Sequence, residues 1–285
     1  MIEPTAECKS IYRMAELPYR EKDCVAKRII SVLSGKGGVG KTTIAVNLSA
    51  LAAAHSEIVL IDGDLGNPTV VLQLGLWGYM NGLQNVLNGK CKLEQAIIMH
   101  PATGIRVVPS SLEYQRGVKT SRFKEVLEDT PHENIMIDSP PGVSSAVEDI
   151  LAACTETIVV VTPDIPSVMS AVKIIELAEQ SKVKVAGLVL NRVQNKSYQM
   201  HLKEIESTCD ARILTTIAEE KVVPESISAR MPAVLYAPRS AVSRSFNDLS
   251  VELGFGGQGI IGRAAAGRNP VARFFAWLSR RFGGG

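Results

Sequence analysis

Ser34-Gly35-Lys36-Gly37-Gly38-Val39-Gly40-Lys41-Thr42-Thr43 places four glycines and two lysines in ten residues. Gly35, Gly40, Lys41 and Thr42 satisfy the spacing G-x-x-x-x-G-K-[ST]. The apolar run Ile29, Ile30, Val32, Leu33 before it, and Ile44, Val46, Leu48, Leu51 after it, predict a strand, a loop and a helix in that order. Glycines without Cβ let backbone N–H groups crowd around a polyphosphate, and the N-terminus of the following helix adds partial positive charge. In such a loop Lys41 reaches the β- and γ-phosphates and the Thr42 hydroxyl coordinates Mg²⁺. Chance alone yields the spacing in on the order of one per cent of chains this long, so the flanking strand and helix settle the reading as a phosphate site.

The string Gly35 to Thr43 is more specific still, because Lys36 sets a second lysine directly after the first glycine. It resembles the deviant Walker A motif of the MinD/ParA family of dimerising ATPases. That resemblance implies ATP and Mg²⁺ as cofactors, with Gly35, Lys36, Gly37, Gly38, Val39, Gly40, Lys41, Thr42 and Thr43 around the nucleotide. It further implies a homodimer in which Lys36 of one subunit touches the nucleotide of the other. A charge supplied in trans in this way can accelerate phosphoryl transfer by roughly 10³ to 10⁵.

The 285 residues are 46% hydrophobic and 21% charged, enough for one large globular domain with a well-buried core. A net charge of +2 is too balanced for a wholesale nucleic-acid binder, so DNA is not an expected partner. The five cysteines, Cys8, Cys24, Cys91, Cys154 and Cys209, are scattered without a C-x-x-C pair, which suggests neither a disulfide framework nor a metal cluster. With no signal peptide and no apolar run near the roughly 18 to 20 residues of a membrane span, a cytoplasmic or peripheral location is expected.

Residues 1–27 mix charges with Tyr12, Met14, Leu17 and Tyr19 around Pro18, which is consistent with an unstructured extension or a partner-binding one. Past the phosphate loop, β and α patterns alternate, predicting a doubly wound, mostly parallel α/β sheet flanked by helices. The expected strand Ile58 to Ile61 runs into Asp62-Gly63-Asp64, two carboxylates where an open α/β sheet places its ligand chemistry. By the family resemblance this is switch I, with Asp64 activating the attacking water and Asp62 in the Mg²⁺ shell; as turn residues, both aspartates would simply bond backbone N–H groups. A second expected strand, Asn134 to Ile137, ends in Asp138-Ser139-Pro140-Pro141-Gly142. An apolar strand closed by Asp is the Walker B arrangement, in which the carboxylate holds Mg²⁺ or its water. The DSPPG string also resembles switch II, where Gly142 presents its N–H to the γ-phosphate.

Asp164, before an expected helix to about Gln180, suits a cap or a partner contact. The strand Val183 to Leu190 ends at Asn191-Arg192, which resembles the family's adenine contact; the loop Val222-Val223-Pro224-Glu225 resembles the segment that covers the base. The absence of N-K-x-D after a strand favours adenine over guanine.

After a closing helix, Ser240 to Leu253, the composition changes. Residues Gly254 to Asn269 hold six glycines and no acid, and read as a linker. In Pro270 to Phe282, a helical period puts Val271, Phe274, Phe275, Leu278 and Phe282 on one face with Trp277 at its edge, while Arg280 lies aside. That pattern suits an interfacial helix on anionic membrane, and it is similar to the C-terminal targeting helix of the MinD branch. One short helix binds marginally, whereas a dimer holding two gains on the order of 10² or more. The whole predicts an ATP-dependent, dimer-activated ATPase that positions cellular structures at a membrane and meets a protein partner that stimulates hydrolysis. The alternatives are a DNA-partitioning ATPase and a positioning ATPase for a surface appendage.

Overall fold

The computed structural model describes residues 27–113 and 115–256. Runs such as Ile29 to Leu33, Val59 to Ile61, Ile135 to Ile137 and Ile158 to Val161 are apolar at successive positions, which suits strands covered on both faces. They form one eight-stranded sheet from β1 (Arg28–Leu33), β2 (Val59–Asp62), β3 (Ile98–Met99), β4 (Arg106–Val108), β5 (Asn134–Asp138), β6 (Glu156–Val161), β7 (Lys184–Val193) and β8 (Ile213–Ala218). Their spatial order is β3-β4-β2-β5-β1-β6-β7-β8, parallel throughout except for the β3–β4 edge pair. The doubly wound parallel sheet expected from the alternation of elements is therefore present.

The helices are α1 (Lys41–Ala52), α2 (Val70–Leu74), α3 (Leu83–Leu87), α4 (Phe123–Asp129), α5 (Ser145–Leu151), α6 (Ile165–Gln180), α7 (Leu202–Cys209), α8 (Val222–Ser228), α9 (Ala233–Tyr236) and α10 (Ala241–Glu252). Strand residues alternate between the two layers. Ile30, Val32, Leu60, Met136, Ile158 and Val160 enter a core with Leu48 and Leu51 of α1 and Phe246 and Leu249 of α10. On the other side, Ile29, Val59, Ile61 and Ile135 pack with Leu83, Leu127 and Ile150, while Leu33, Val159 and Leu188 pack with Val168, Ile174 and Ile205. Eleven of the twelve residues of α1 are buried, so this helix is embedded between the sheet and α10. Its N-terminus is thereby fixed beneath the phosphate loop.

Several boundaries differ from the sequence expectation. Val222-Val223-Pro224-Glu225 is not a loop but the first turn of α8, where proline is tolerated because the first N–H groups of a helix have no intrahelical acceptor. β7 runs past Leu190 to Val193, with register irregularities against β8 and a left-handed Arg192 (φ 58°) that give its end the character of a bulge. The packed domain continues beyond Leu253. Gly254 turns the chain in the left-handed region (φ 72°), and Phe255, 6% exposed, tucks beneath the Arg28 guanidinium at 4.6 Å. The expected N-terminal extension, most of the Gly-rich linker, and Val271, Phe274, Phe275, Trp277, Leu278, Arg280 and Phe282 lie outside the described residues. Among the described residues, no helix is long and apolar enough to cross a membrane.

Candidate nucleotide-binding site

The phosphate loop leaves the carboxyl end of β1, between β5 and β6, where the strand order reverses; open α/β sheets form their ligand crevice at that point. Gly38 and Gly40 take left-handed φ values of 76° and 102°, which only glycine adopts at little cost. Gly35 is required for another reason: a Cβ there would stand 2.2 Å from the Ser170 carbonyl oxygen of α6. Val39 is 2% exposed and anchors the loop by its side chain in the core, leaving its peptide groups at the site. Three hydrogen bonds brace the loop. Ser34 Oγ donates to the Lys36 carbonyl (2.8 Å), Gly142 N–H to the Ser34 carbonyl (2.9 Å), and Asn191 Nδ2 to the Val39 carbonyl (2.7 Å).

Lys41 opens α1 and is 8% exposed. Burial lowers its pKa, and the negative charges of Asp138 and Asp64 oppose that effect. An ammonium so desolvated is a strong electrostatic partner for phosphate oxygens.

The carboxylates follow from strand register. Asp62 on β2 is paired side by side with Asp138 on β5, and both are buried. Gly63 N–H donates to the Asp138 carbonyl (2.7 Å), an approach so close that a Cβ at Gly63 would lie 2.8 Å from that oxygen. Asp62 Oδ2 accepts from Val70 N–H (3.1 Å), and Asp138 Oδ2 accepts from the Thr42 hydroxyl (2.6 Å). The Oδ1 atoms of both aspartates are buried without a hydrogen-bond partner. Burial is the largest cause raising both carboxyl pKa values; it takes Asp138 to about 7, and Asp62 is raised further by the Asp138 charge. Two adjacent carboxylates with orphaned oxygens next to a hydroxyl form a hard-oxygen donor set, and Thr42, Asp62 and Asp138 fit Mg²⁺ on that chemistry.

Asp64 is less enclosed. Its Oδ1 accepts from Asn67 N–H (3.0 Å), burial raises its pKa, and the nearby Lys41 charge lowers it. It thus makes the turn contact its sequence context suggested while standing within electrostatic reach of Lys41.

Lys36 is half exposed and reaches out of the loop to Asp164 Oδ1 at 3.6 Å. Asp164 is the N-cap of α6, accepting from Ser167 N–H (3.0 Å) and from the Thr162 hydroxyl (2.5 Å). Gly142 spends its N–H on Ser34, so offering it to a γ-phosphate requires that bond to open. Arg192 is exposed, and its carbonyl accepts from Gln199 Nε2 (3.2 Å). Val223 and Pro224 enter this edge on α8, which follows a Glu219 N–H to Val193 carbonyl bond (3.0 Å).

Three residues here escaped sequence reading. Ser170 is the surface on which Gly35 rests. Thr69 hydrogen-bonds the Thr42 hydroxyl (3.0 Å), and Ser110 Oγ supports the Asp62 carbonyl (2.6 Å). Thr69 carried a usable signal, a threonine after Pro68 and before the apolar Val70 to Leu72; the other two depend on contacts distant in sequence.

A P-loop nucleotide site is what this geometry defines, and comparison with known proteins agrees. The family model described as "ParA: NUBPL iron-transfer P-loop NTPase" matches residues 25–253. The chain belongs to this ParA family of P-loop NTPases. It is 32% identical over 229 residues to an ATP-binding protein of Methanocaldococcus jannaschii, covering 79% of this chain and 86% of that one. It is 29% identical over 235 residues to the septum site-determining protein MinD of Thermotoga maritima, with 78% and 86% covered. Among solved structures, MinD of Pyrococcus horikoshii complexed with Mg-ADP superposes with a TM-score of 0.75 at 29% identity, covering 80% of this chain and 96% of that one.

Proposed function

We propose that this protein is a nucleotide-switched ATPase of the MinD type. Its ATP-bound state dimerises across the phosphate-loop face and rests on anionic membrane through the segment around Phe274 to Phe282. The observation that carries the proposal is Lys36. It stands half exposed on the rim of the loop, and its ion pair is with Asp164 rather than with Asp62, Asp64 or Asp138. A lysine so placed is available to the phosphates of a second subunit at the cost of one solvent-exposed ion pair.

The roles then follow from position. The N–H groups of Gly35 to Thr43 and the Lys41 ammonium bind the phosphates of ATP. Thr42 and Asp138 would hold Mg²⁺, with Asp62 beside them, and the two buried oxygens without hydrogen-bond partners would offer it hard donors. Asp64 orients the attacking water and accepts its proton. Lys36 of the partner subunit stabilises charge developing on the γ-phosphate. Asn191 has one amide hydrogen bond to Val39, leaving its carbonyl oxygen to accept from the adenine amino group, with Arg192, Val223 and Pro224 around the base. When the γ-phosphate leaves, Gly142 returns to Ser34, the dimer parts, and two-point membrane attachment becomes one-point. A protein partner that completes or exposes Asp64 sets the rate of this step.

The test is co-sedimentation with anionic vesicles in ATP and in ADP, using the full chain and a chain ending after Gly256, so that the packed Phe255 is retained. The full chain should pellet in ATP, far less in ADP, and the shortened chain in neither. Equal pelleting in both nucleotides would remove the switch, and no pelleting at all would remove the membrane.

A further inference from the structure

The Thr42 hydroxyl lies between two partners, 2.6 Å from Asp138 Oδ2 and 3.0 Å from Thr69 Oγ1. A threonine hydroxyl carries one proton and two lone pairs, and a carboxylate only accepts. The proton of Thr42 is therefore spent on Asp138, and in the bond between the two threonines Thr69 is the donor. The bonds run in one sense, Thr69 to Thr42 to Asp138, and bonds so aligned polarise one another in a low-dielectric site. One lone pair of Thr42 accepts from Thr69, which fixes the rotation of the hydroxyl and leaves the second lone pair for a cation.

Thr69 stands immediately before α2, and the segment leading into that helix is fastened to the same site. Asn67 N–H donates to Asp64 Oδ1 (3.0 Å), Val70 N–H to Asp62 Oδ2 (3.1 Å), and the Thr43 hydroxyl meets Gln73 Oε1 of α2 at 3.4 Å. Thr42, Asp62 and Asp64 thus each hold one residue between Asn67 and Val70. Val70, Val71 and Leu74 are buried, so a displacement of the first turn of α2 is passed to its end through close packing. There the chain turns at Gly75 (φ 64°), where a Cβ would stand 2.9 Å from Arg230 Cδ. Two residues on, Trp77 is 37% exposed and lies 5.5 Å from the Arg230 guanidinium.

We infer that Thr69 is a positioning residue for the cation site: its hydroxyl aims the Thr42 donor, and the same bond makes the placement of α2 and Trp77 answer to occupancy of the site. This rests on the assignment of Thr42, Asp62 and Asp138 to Mg²⁺. A ligand shifts a conformation only through contacts that differ between the two states. Here those contacts are the hydrogen bonds of Thr42 and Asp62, and both are shared with the start of α2, at Thr69 and Val70.

The chain has two tryptophans, Trp77 and Trp277, so Trp277→Phe leaves Trp77 as the sole indole and a fluorescent reporter. In that full-length background, Mg²⁺ is titrated at saturating ADP into the parent, Thr69→Val, which keeps the shape and loses the hydroxyl, and Thr69→Ser, which restores it. ADP affinity in EDTA is measured alongside. In the parent, Mg²⁺ should change Trp77 emission. Thr69→Val should bind Mg²⁺ about 3- to 10-fold more weakly, the loss expected for one hydrogen bond, with its Trp77 response removed and its ADP affinity in EDTA within about twofold of the parent. Thr69→Ser should recover both the affinity and the emission change. Equal Mg²⁺ affinity in the parent and Thr69→Val would overturn the inference, as would a parent whose Trp77 emission ignores Mg²⁺. So would an equal loss of ADP affinity in EDTA, which assigns Thr69 to the shape of the phosphate loop. If Mg²⁺ leaves ADP affinity unchanged both in the parent and in Asp138→Asn, the cation assignment itself falls, and the inference with it.

Discussion

The Asn191 amide, at the end of β7, donates its hydrogen bond to the Val39 carbonyl across 152 residues of chain, at 2.7 Å. The residue expected to read the base is thus also a brace of the phosphate loop. A Cβ at Gly40 would lie 2.3 Å from the same Nδ2, so the contact leaves no slack.

This coupling predicts that Asn191→Ala weakens every phosphate ligand, not adenine nucleotides alone. Loss of one such bond to a loop that must hold its shape should cost about 1 to 2 kcal/mol, or roughly 5- to 30-fold in affinity. Calorimetric titration with ATP and with Mg-pyrophosphate separates the cases. A loss confined to ATP would mean that Asn191 touches the base without supporting the loop.

Asp164 holds Lys36 within the same chain through a pair that is about half exposed on both sides, so the holding force is small. Asp164→Asn keeps the cap on Ser167 and removes the ion pair. In sedimentation analysis with a non-hydrolysable ATP analogue, this variant should dimerise up to about fivefold more tightly, with a weaker dependence on salt. A looser dimer would instead place Asp164 among the contacts made to the second subunit.

The adjacent Asp62 and Asp138 set a pH dependence. The Asp138 carboxyl is raised from 3.8 to about 7 in the fold, chiefly by burial. Below pH 4 both folded and unfolded forms carry the proton. Between about pH 4 and 7 the unfolded form loses it first, so stability falls across that window and levels off above it. A bound divalent cation cancels the effect by stabilising the ionised pair. Without Mg²⁺, Tm should fall by several degrees from pH 5 to pH 8; with Mg-ADP the fall should shrink, and in Asp138→Asn it should be reduced to the part that the buried Asp62 contributes. A Tm profile indifferent to Mg-ADP across this range would argue against the carboxylate pair as the cation site.

Gly35→Ala forces a methyl group against the Ser170 backbone of α6, where no flexible side chain can yield. A destabilisation of about 1 to 3 kcal/mol, with loss of nucleotide binding, is expected in urea titration and filter binding. Gly37→Ala, whose Cβ would meet only Pro141 at 3.9 Å, serves as the tolerated control.

The phosphate loop, the order of β and α elements and the aspartates at strand ends were all legible in the sequence, because each rests on local signals: glycine spacing, apolar runs and turn residues. On its sequence context Asp164 suits either a cap or a contact, and the fold places it as a cap that also holds Lys36. What escaped depended on partners far along the chain. β8 contains Thr215 and Thr216 and is only half buried, so its run lacks the apolar character of the central strands. α7 is short and charged. Val222 to Glu225 resembles a covering loop, yet Pro224 sits in a helical first turn. No pattern near Gly35 announces Ser170, and none near Asp62 announces Ser110.

The stacking of Arg28 on Phe255 brings the first residue of the sheet and nearly the last packed residue of the domain to one corner, 4.6 Å apart. Arg28 also holds Glu156 of the neighbouring strand at 2.6 Å, so that corner is firmly tied to the sheet. The domain is therefore a closed circuit, in which a short join from Gly256 to Lys27 could replace the natural ends. A circularly permuted chain, opened at the exposed turn of Lys182, should still fold and bind nucleotide. In such a chain the two tails could be hung elsewhere on the surface, which would separate what the ATPase domain does from where its attachments begin.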